Sequence, residues 1–116
     1  MKKLIIIPTY NENKNIVILL NKIIKLYNSK FQILVIDDNS PDGTSKEVKK
    51  YIRKYKFVKL KIRSKKLGIG SAHKYGIKYA IKKKFNILIT TNGVKSTFRT
   101  NVNLENGLVP SQKFVL

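Results

Sequence analysis

Short apolar runs alternate along this chain with longer stretches in which apolar residues recur every three or four positions. The runs predict four strands, at residues 3–7, 31–36, 57–62 and 85–91. The longer stretches predict three amphipathic helices between them, because apolar residues at that spacing share one helix face. The predicted buried positions of the helices are Ile16, Leu19, Leu20, Ile23, Ile24 and Tyr27; then Val48, Tyr51, Ile52 and Tyr55; then Ala72, Tyr75, Gly76, Tyr79 and Ala80.

Strands that alternate with helices need crossover connections, which predicts a largely parallel sheet with helices on both faces. The expected fold class is therefore α/β, a three-layer αβα arrangement of Rossmann-like type. Ligands of such sheets bind at the carboxyl ends of the strands. Here those ends are residues 8–12, 37–38 and 92–94, and we expect them along one edge of the sheet.

The first strand closes with "IPTYNE", which places an aromatic ring and a carboxylate at its end. Tyr10 could pack against a nucleobase while Glu12 accepts hydrogen bonds from it. Residues 9–12 equally fit a capping box that starts the first helix, and the stretch alone does not choose between the two.

The second strand closes with two adjacent acids, Asp37 and Asp38, inside "VIDDNSPDGT". Adjacent side chains of an extended chain point in opposite directions, so one acid can face a ligand while the other holds the turn. We expect Asp38 to face the ligand and Asp42 to serve the turn. Residues 44–47 fit a capping box, which predicts the start of the second helix there.

Glycines in "KLGIGSAHKYG" mark a loop that leads into the third helix. The stretch contains G-x-G, but His73 stands where a dinucleotide fingerprint has its last glycine, and the loop follows the third strand rather than the first. We interpret it as a helix-capping loop, with His73 on the helix surface.

Composition narrows the classes of function. The chain has 116 residues, enough for one domain, no cysteine and one histidine, which excludes disulfides, thiolate metal sites and histidine clusters. Its apolar runs are shorter than the roughly 18 residues of a membrane span. The run at residues 4–7 is also too short for a secretory leader, so we expect a cytoplasmic protein without a transmembrane segment.

A net charge of +19 raises the possibility of nucleic-acid binding. The alternative, which we favour, is that the lysines are scattered over solvated helix faces. Acids at the strand ends would also repel a phosphate backbone. A non-catalytic module that binds nucleic acid or a nucleotide sugar is therefore kept as the second hypothesis.

Three segments in order, "IIIPTYNENKNI" (5–16), "ILVIDDNSPDGT" (33–44) and "KLGIGSAHKYGIKYA" (66–80), resemble family 2 glycosyltransferases, most of all the dolichyl- or polyprenyl-phosphate mannosyltransferase type. The resemblance implies a GT-A fold and transfer of a sugar, mannose from GDP-mannose, to a lipid-linked phosphate at the cytoplasmic face of a membrane. In the family Mg²⁺ or Mn²⁺ neutralises the leaving diphosphate.

The resemblance also implies which residues bind the nucleotide sugar: Pro8, Tyr10, Glu12, Ile36, Asp38, Asn92 and Gly93. One departure stands out. The family carries a metal-binding Asp-x-Asp after the fourth strand, whereas this chain has Asn92 and Val94 in those places. An amide is a weak, uncharged ligand and valine is none, so we expect no metal site at these positions.

Resemblance fades after the fourth strand, which divides the chain into an incomplete nucleotide-sugar-binding domain at residues 1–91 and a divergent tail at residues 92–116. We rank three explanations in this order. The chain is the product of a truncated or frameshifted gene, with impaired activity; it is a half-domain that binds donor without turning it over; or it is an enzyme with a different metal site.

Overall fold

The computed structural model describes residues 2–91, 98–103 and 107–114, with side chains through residue 90. The strands are β1 (Lys3–Thr9), β2 (Gln32–Asp37), β3 (Val58–Ile62), β4 (Ile87–Thr91), β5 (Phe98–Asn103) and β6 (Gly107–Phe114). The helices are α1 (Asn13–Tyr27), α2 (Thr44–Lys54) and α3 (Ile69–Lys82), with a short 3₁₀ turn at Asn28–Lys30. The predicted strand–helix alternation is confirmed through β4.

The strands form one sheet in the order β3-β2-β1-β4-β5-β6. The pairs β3–β2, β2–β1 and β1–β4 are parallel, as predicted for segments joined by helical crossovers. The chain runs outward from β1 to β3 and then crosses to the other side of β1, where it forms β4. The strand order therefore reverses beside β1, and such a switch point is where open α/β sheets bind ligands.

Beyond β4 the sheet continues with two antiparallel strands, β5 and β6. The sequence did not predict them, because residues 98–114 lack a complete alternation and Pro110 interrupts the second segment. Proline removes a ladder donor but is tolerated on an edge strand, and β6 is the edge of this sheet. The division at residue 91 stays a prediction.

Both faces of the parallel part are covered, as the three-layer prediction requires. Alternate residues of β1 point to opposite faces: Ile5 and Ile7 pack with α1 and α2, whereas Leu4 and Ile6 pack with α3. Each of the four β1 side chains is at most 2% exposed. Strand β1 is thus buried on both faces of the sheet.

Helix α3 lies close against β1 because of Gly76. A Cβ placed on this glycine would lie 1.9 Å from Cδ1 of Ile6, so no larger residue fits without movement. The lack of a side chain at this position therefore gives the helix its close approach to β1.

Neither capping box forms, although α2 does begin at residue 44 as predicted. Thr9 belongs to β1, and Glu12 at the start of α1 makes no side-chain cap bond. Helix α2 begins after Gly43, at φ 86°, and makes no side-chain cap bond either. The Thr44 hydroxyl is instead used in contacts between loops, which are described below. Among the described helices, none has the length and apolar composition needed to cross a membrane.

Candidate functional site

An open cavity of about 250 Å³ lies at the carboxyl ends of β1 and β2. We call it the edge cavity. Its walls are Pro8, Thr9, Tyr10, Glu12, Asp38, Lys66, Gly68 and Ile69. Two of the three predicted strand ends, residues 8–12 and 37–38, therefore meet, and four of the predicted site residues line one space.

Three predicted positions fall elsewhere. The side chain of Ile36 is 0% exposed and packs in the core beneath α3, so it does not line the edge cavity. Its assignment as a nucleotide contact stays a prediction. Asn92 and Gly93, together with Val94, lie outside the described residues.

The floor of the edge cavity is held by Asp37, which is 1% exposed. Its Oδ1 accepts hydrogen bonds from the hydroxyls of Thr9 at 2.8 Å and Ser40 at 2.6 Å. Its Oδ2 accepts the backbone N–H of Ser40 at 2.9 Å. Thr9 and Asp37 pair in the β1–β2 register, which explains why the side chains meet. Asp37 is thus the acid that holds the turn, and Asp38 is the one that faces the cavity.

A second set of hydrogen bonds ties the loop after β2 to the start of α1. The N–H of Glu12 donates to the Thr44 hydroxyl at 3.0 Å, and the N–H of Asn13 donates to Asp42 Oδ2 at 3.2 Å. The Thr44 hydroxyl in turn donates to Asp42. Burial opposes the charged form of Asp42, but the hydrogen bonds from Thr44 and Asn13 outweigh it and hold the pKa below the usual value. Asp42 serves the turn, as predicted.

Asp38 lines the edge cavity but is itself heavily bonded. Its Oδ1 accepts Nε of Arg63 at 2.5 Å, and its Oδ2 accepts the backbone N–H groups of Leu67 at 2.9 Å and Gly68 at 3.1 Å. Burial by itself would raise the pKa of Asp38; the hydrogen bonds from Arg63, Leu67 and Gly68 more than offset it, so the pKa is lowered. Asp38 is therefore ionised at neutral pH.

Sequence reasoning missed Arg63 and Lys66. Arg63 is only 8% exposed and follows β3 directly, at the same edge as the other site residues. Its place at the carboxyl end of the third strand is the signal in the sequence that points to it. Lys66 lies in the loop that follows β3, and no pattern in the sequence predicts that its side chain reaches the edge cavity.

Tyr10 and Glu12 give the edge cavity its aromatic and acceptor groups. Tyr10 is 38% exposed, and Nζ of Lys66 lies 4.6 Å from the centroid of its ring. Glu12 is half-buried, and its Oε2 accepts Nδ2 of Asn15 at 2.8 Å. A flat ring, a carboxylate and an ammonium group around one opening suit a ligand that combines a heterocycle with an anionic group.

The described residues do not fit a divalent metal. None of them form a group of three or more Asp, Glu, His or Cys side chains that could hold an ion. Hard cations need several oxygen ligands. Both oxygens of Asp38 are already bonded to Arg63 and to backbone amides. The described residues of this site therefore offer no ligand set for Mg²⁺ or Mn²⁺.

Comparison with known proteins identifies relatives of the whole β1–β4 region. The family profile described as "Glycosyl transferase family 2" matches residues 4–91. A dolichol-phosphate mannosyltransferase of Pyrococcus furiosus is 41% identical over 81 residues, covering 69% of this chain and 23% of the relative. A polyprenol monophosphomannose synthase of Mycolicibacterium smegmatis is 30% identical over 89 residues, covering 76% of this chain and 33% of the relative.

A solved structure shares the fold. The mannosyltransferase PcManGT from Pyrobaculum calidifontis, in complex with GDP-Man and Mn²⁺, superimposes with a TM-score of 0.68 at 24% identity, over 78% of this chain and 26% of that chain. The chain is thus similar to GT-A glycosyltransferases and spans 23% to 33% of the length of these matched proteins.

Proposed function

This chain belongs to glycosyl transferase family 2, and from that premise we propose that its edge cavity binds the nucleotide of a sugar donor, GDP-mannose. The observation that carries the proposal is the convergence of Tyr10, Glu12 and Lys66 around one opening at the carboxyl edge of the sheet. That opening lies beside the strand where the sheet order reverses, the usual ligand position of an open α/β sheet.

Tyr10 and Glu12 would hold the base. A half-exposed tyrosine ring at the cavity mouth offers a face for stacking a flat heterocycle. Guanine presents two neighbouring N–H donors, its ring N–H and its exocyclic amino group, and a carboxylate can accept both at once. Uracil presents a single N–H donor between two carbonyl oxygens, and those carbonyl oxygens would be repelled by a carboxylate. The Glu12 carboxylate therefore favours a guanine nucleotide over a uracil nucleotide.

Lys66 would meet the diphosphate. It is the cation among the described residues that line the edge cavity. Arg63 lies nearby but outside this lining, and each of its nitrogens already donates to a protein oxygen. The Nζ of Lys66 rests on the Tyr10 ring, a contact worth only about 0.5–1 kcal/mol at an exposed site. A bound nucleotide can displace it from the ring and offer it a phosphate oxygen in exchange.

The acceptor we propose is a polyprenyl or dolichyl phosphate, in keeping with the names of the relatives. In the complete reaction a phosphate oxygen of the acceptor would attack the anomeric carbon of mannose and GDP would leave. Because the acceptor is a lipid, the reaction belongs at a membrane surface, and a net charge of +19 favours approach to an anionic leaflet. The residues of this chain contribute binding and orientation of the donor.

For this 116-residue chain we propose donor binding with impaired transfer. Asn92 and Val94 take the places of the family's metal-binding acids, and the described residues do not fit a metal. Mg²⁺ or Mn²⁺ would stabilise the leaving diphosphate in a complete enzyme. We expect the chain to lack that contribution.

Titration calorimetry with GDP-mannose, in the presence and absence of Mn²⁺, tests both parts of the proposal. We expect saturable binding that is insensitive to Mn²⁺, together with little transfer to a polyprenyl phosphate. Efficient Mn²⁺-dependent transfer would contradict the impaired-turnover part. Absence of affinity for GDP-mannose, with steeply salt-dependent RNA binding instead, would replace the proposal with the nucleic-acid-binding alternative.

A further inference from the structure

A buried ion pair joins three elements at the wall of the edge cavity. Asp38 directly follows β2, and Arg63 directly follows β3. The N–H of Arg63 donates to the carbonyl of Asp37 at 2.8 Å, continuing the β2–β3 ladder. Asp38 and Arg63 are thereby cross-strand neighbours, and their side chains are each 7% exposed.

Arg63 also bonds to helix α3 and to the loop that precedes it. Its Nε donates to Asp38 Oδ1 at 2.5 Å, one terminal nitrogen donates to the Ser71 hydroxyl at 2.8 Å, and the other donates to the Gly68 carbonyl at 3.1 Å. Ser71 lies in the first turn of α3. We call Asp38, Arg63, Leu67, Gly68 and Ser71 the clasp.

The acceptor capacity of Asp38 is nearly used up by the clasp. A carboxylate offers about four acceptor positions, and Arg63, Leu67 and Gly68 occupy three of them. Asp38 faces the edge cavity with about one acceptor position left, and its assignment as a nucleotide contact stays a prediction. Its bonds are directed at the backbone of the loop that forms the opposite wall.

We propose that Arg63 is a positioning residue for donor binding: through Asp38 and Gly68 it fixes residues 66–69 as a preformed wall of the edge cavity. This inference rests on the proposed function, because it assigns the wall a nucleotide ligand. Lys66 and Ile69, which line the cavity, flank the two backbone amides that Asp38 holds. Holding those two amides in place also holds the backbone positions from which the Lys66 and Ile69 side chains project.

The need for an external clasp follows from the loop itself. Gly68 has φ 89°, a region open chiefly to glycine, and a flexible loop of this kind must be ordered before it can form a binding wall. A buried ion pair is weak evidence for stability alone, because desolvation of two charges offsets their attraction. Its fork of directed hydrogen bonds, by contrast, gives a fixed geometry that binding need not create.

The test compares Arg63→Lys and Arg63→Gln with Arg53→Gln, which alters an exposed arginine on α2 and is the matched control. Lysine keeps the charge but cannot reach three partners with one ammonium group. Two readouts are taken on the full chain: amide hydrogen exchange at Leu67 and Gly68, and affinity for GDP-mannose by calorimetry. Ser71→Ala, which removes a single clasp bond, serves as a milder variant that keeps the chain folded.

We expect Arg63→Lys and Arg63→Gln to speed exchange at Leu67 and Gly68 at least about tenfold and to weaken GDP-mannose binding by about tenfold, the scale of losing a charged hydrogen bond. Ser71→Ala should weaken binding about two- to threefold, and Arg53→Gln should change neither readout. Protection elsewhere, in β1 and β2, should persist in each variant.

Unchanged exchange and affinity in folded Arg63→Lys and Ser71→Ala proteins would overturn the inference. So would a loss of protection spread evenly over the chain, since that marks a general role in stability. If the wild-type chain does not bind GDP-mannose, the proposed function fails, while the exchange data still decide whether Arg63 orders the loop.

Discussion

Two neighbouring aspartates have different structural roles at the edge cavity. Asp37 is bonded to Thr9 and Ser40 and holds the floor, whereas Asp38 is bonded to Arg63 and to the loop amides. The sequence predicted this difference, because adjacent side chains of an extended chain diverge. It did not predict Arg63, since a cross-strand partner depends on the register of two strands, which no local pattern gives.

Tyr10 offers the most direct test at the residue scale. Tyr10→Leu removes the stacking face, and base–aromatic stacking contributes about 1–3 kcal/mol, so affinity for GDP-mannose should fall roughly tenfold or more. Tyr10→Phe keeps the ring and should bind within about twofold of wild type. Calorimetry on the three proteins checks this, and equal affinities for the Leu and Phe variants would remove Tyr10 from the site.

Glu12 should set the choice of base. Glu12→Gln replaces an acceptor oxygen with an amide donor, which faces the donors of guanine unfavourably. Affinity for GDP should fall about tenfold or more, as expected for a lost hydrogen bond to a charged group, while affinity for UDP should fall less or rise. Parallel titrations with GDP and UDP measure the ratio, and a ratio that stays at the wild-type value would rule out base recognition by Glu12.

The lowered pKa values of Asp38 and Asp42 predict a loss of stability in acid. Each folded-state pKa lies below the ordinary 3.8. The stabilisation is therefore present above pH 3.8 and is lost as the pH falls through the lower folded-state value. Urea unfolding between about pH 6 and pH 2 should show this decline. In Asp42→Asn the decline should be shallower, and a slope equal to that of wild type would contradict the assignment for Asp42.

At the scale of elements, the hydrophobic pattern predicted β1 to β4 and the three helices, because burial of one face imposes the period. The sequence predicted that α2 begins at residue 44 but not which groups bond there. Thr44 has the spacing of a capping box, but its hydroxyl donates to the nearby Asp42 and accepts the N–H of Glu12 from another loop. Strands β5 and β6 were not predicted, because their local hydrophobic pattern is weak and they depend on pairing with neighbouring strands.

The contact between α3 and β1 gives a stability prediction at this scale. Gly76→Ala places a methyl group 1.9 Å from Cδ1 of Ile6, and overpacking of this kind costs about 1–3 kcal/mol of unfolding free energy. Gly70→Ala on the same helix meets nothing within 4 Å and should stabilise by about 0.5–1 kcal/mol through helix propensity. Urea denaturation of both variants measures the pair, and a stabilised Gly76→Ala protein would contradict the described packing.

At the scale of the whole molecule, charge and site point to different ligands. A net charge of +19 attracts any polyanion, whereas the edge cavity places Glu12 and Asp38 at its rim. The family could be inferred from three sequence segments in order. The positions of Arg63 and Lys66 near the edge cavity needed the fold, because the sheet places the end of β3 at the same edge as the ends of β2 and β1.

The salt dependence of affinity distinguishes nucleic-acid binding from nucleotide-sugar binding. Contacts with a nucleic-acid backbone release counterions, so RNA affinity should fall by about 10³-fold or more between 50 and 200 mM salt if many lysines take part. Binding of GDP-mannose relies on stacking, hydrogen bonds and one lysine, and should fall less than about tenfold over the same range. Equal salt slopes for the two ligands would indicate that the edge cavity contributes nothing beyond charge.

The most direct measurement is an amide-resolved NMR titration of the 116-residue chain with GDP-mannose. We predict saturable shifts concentrated in two segments, residues 8–12 and 66–69, that GDP also produces and that need about tenfold or more GDP-mannose in Tyr10→Leu. Shifts that do not saturate, or that spread over the lysine-rich outer faces of α1 and α2 while these two segments stay unchanged, would contradict nucleotide-sugar binding at the edge cavity.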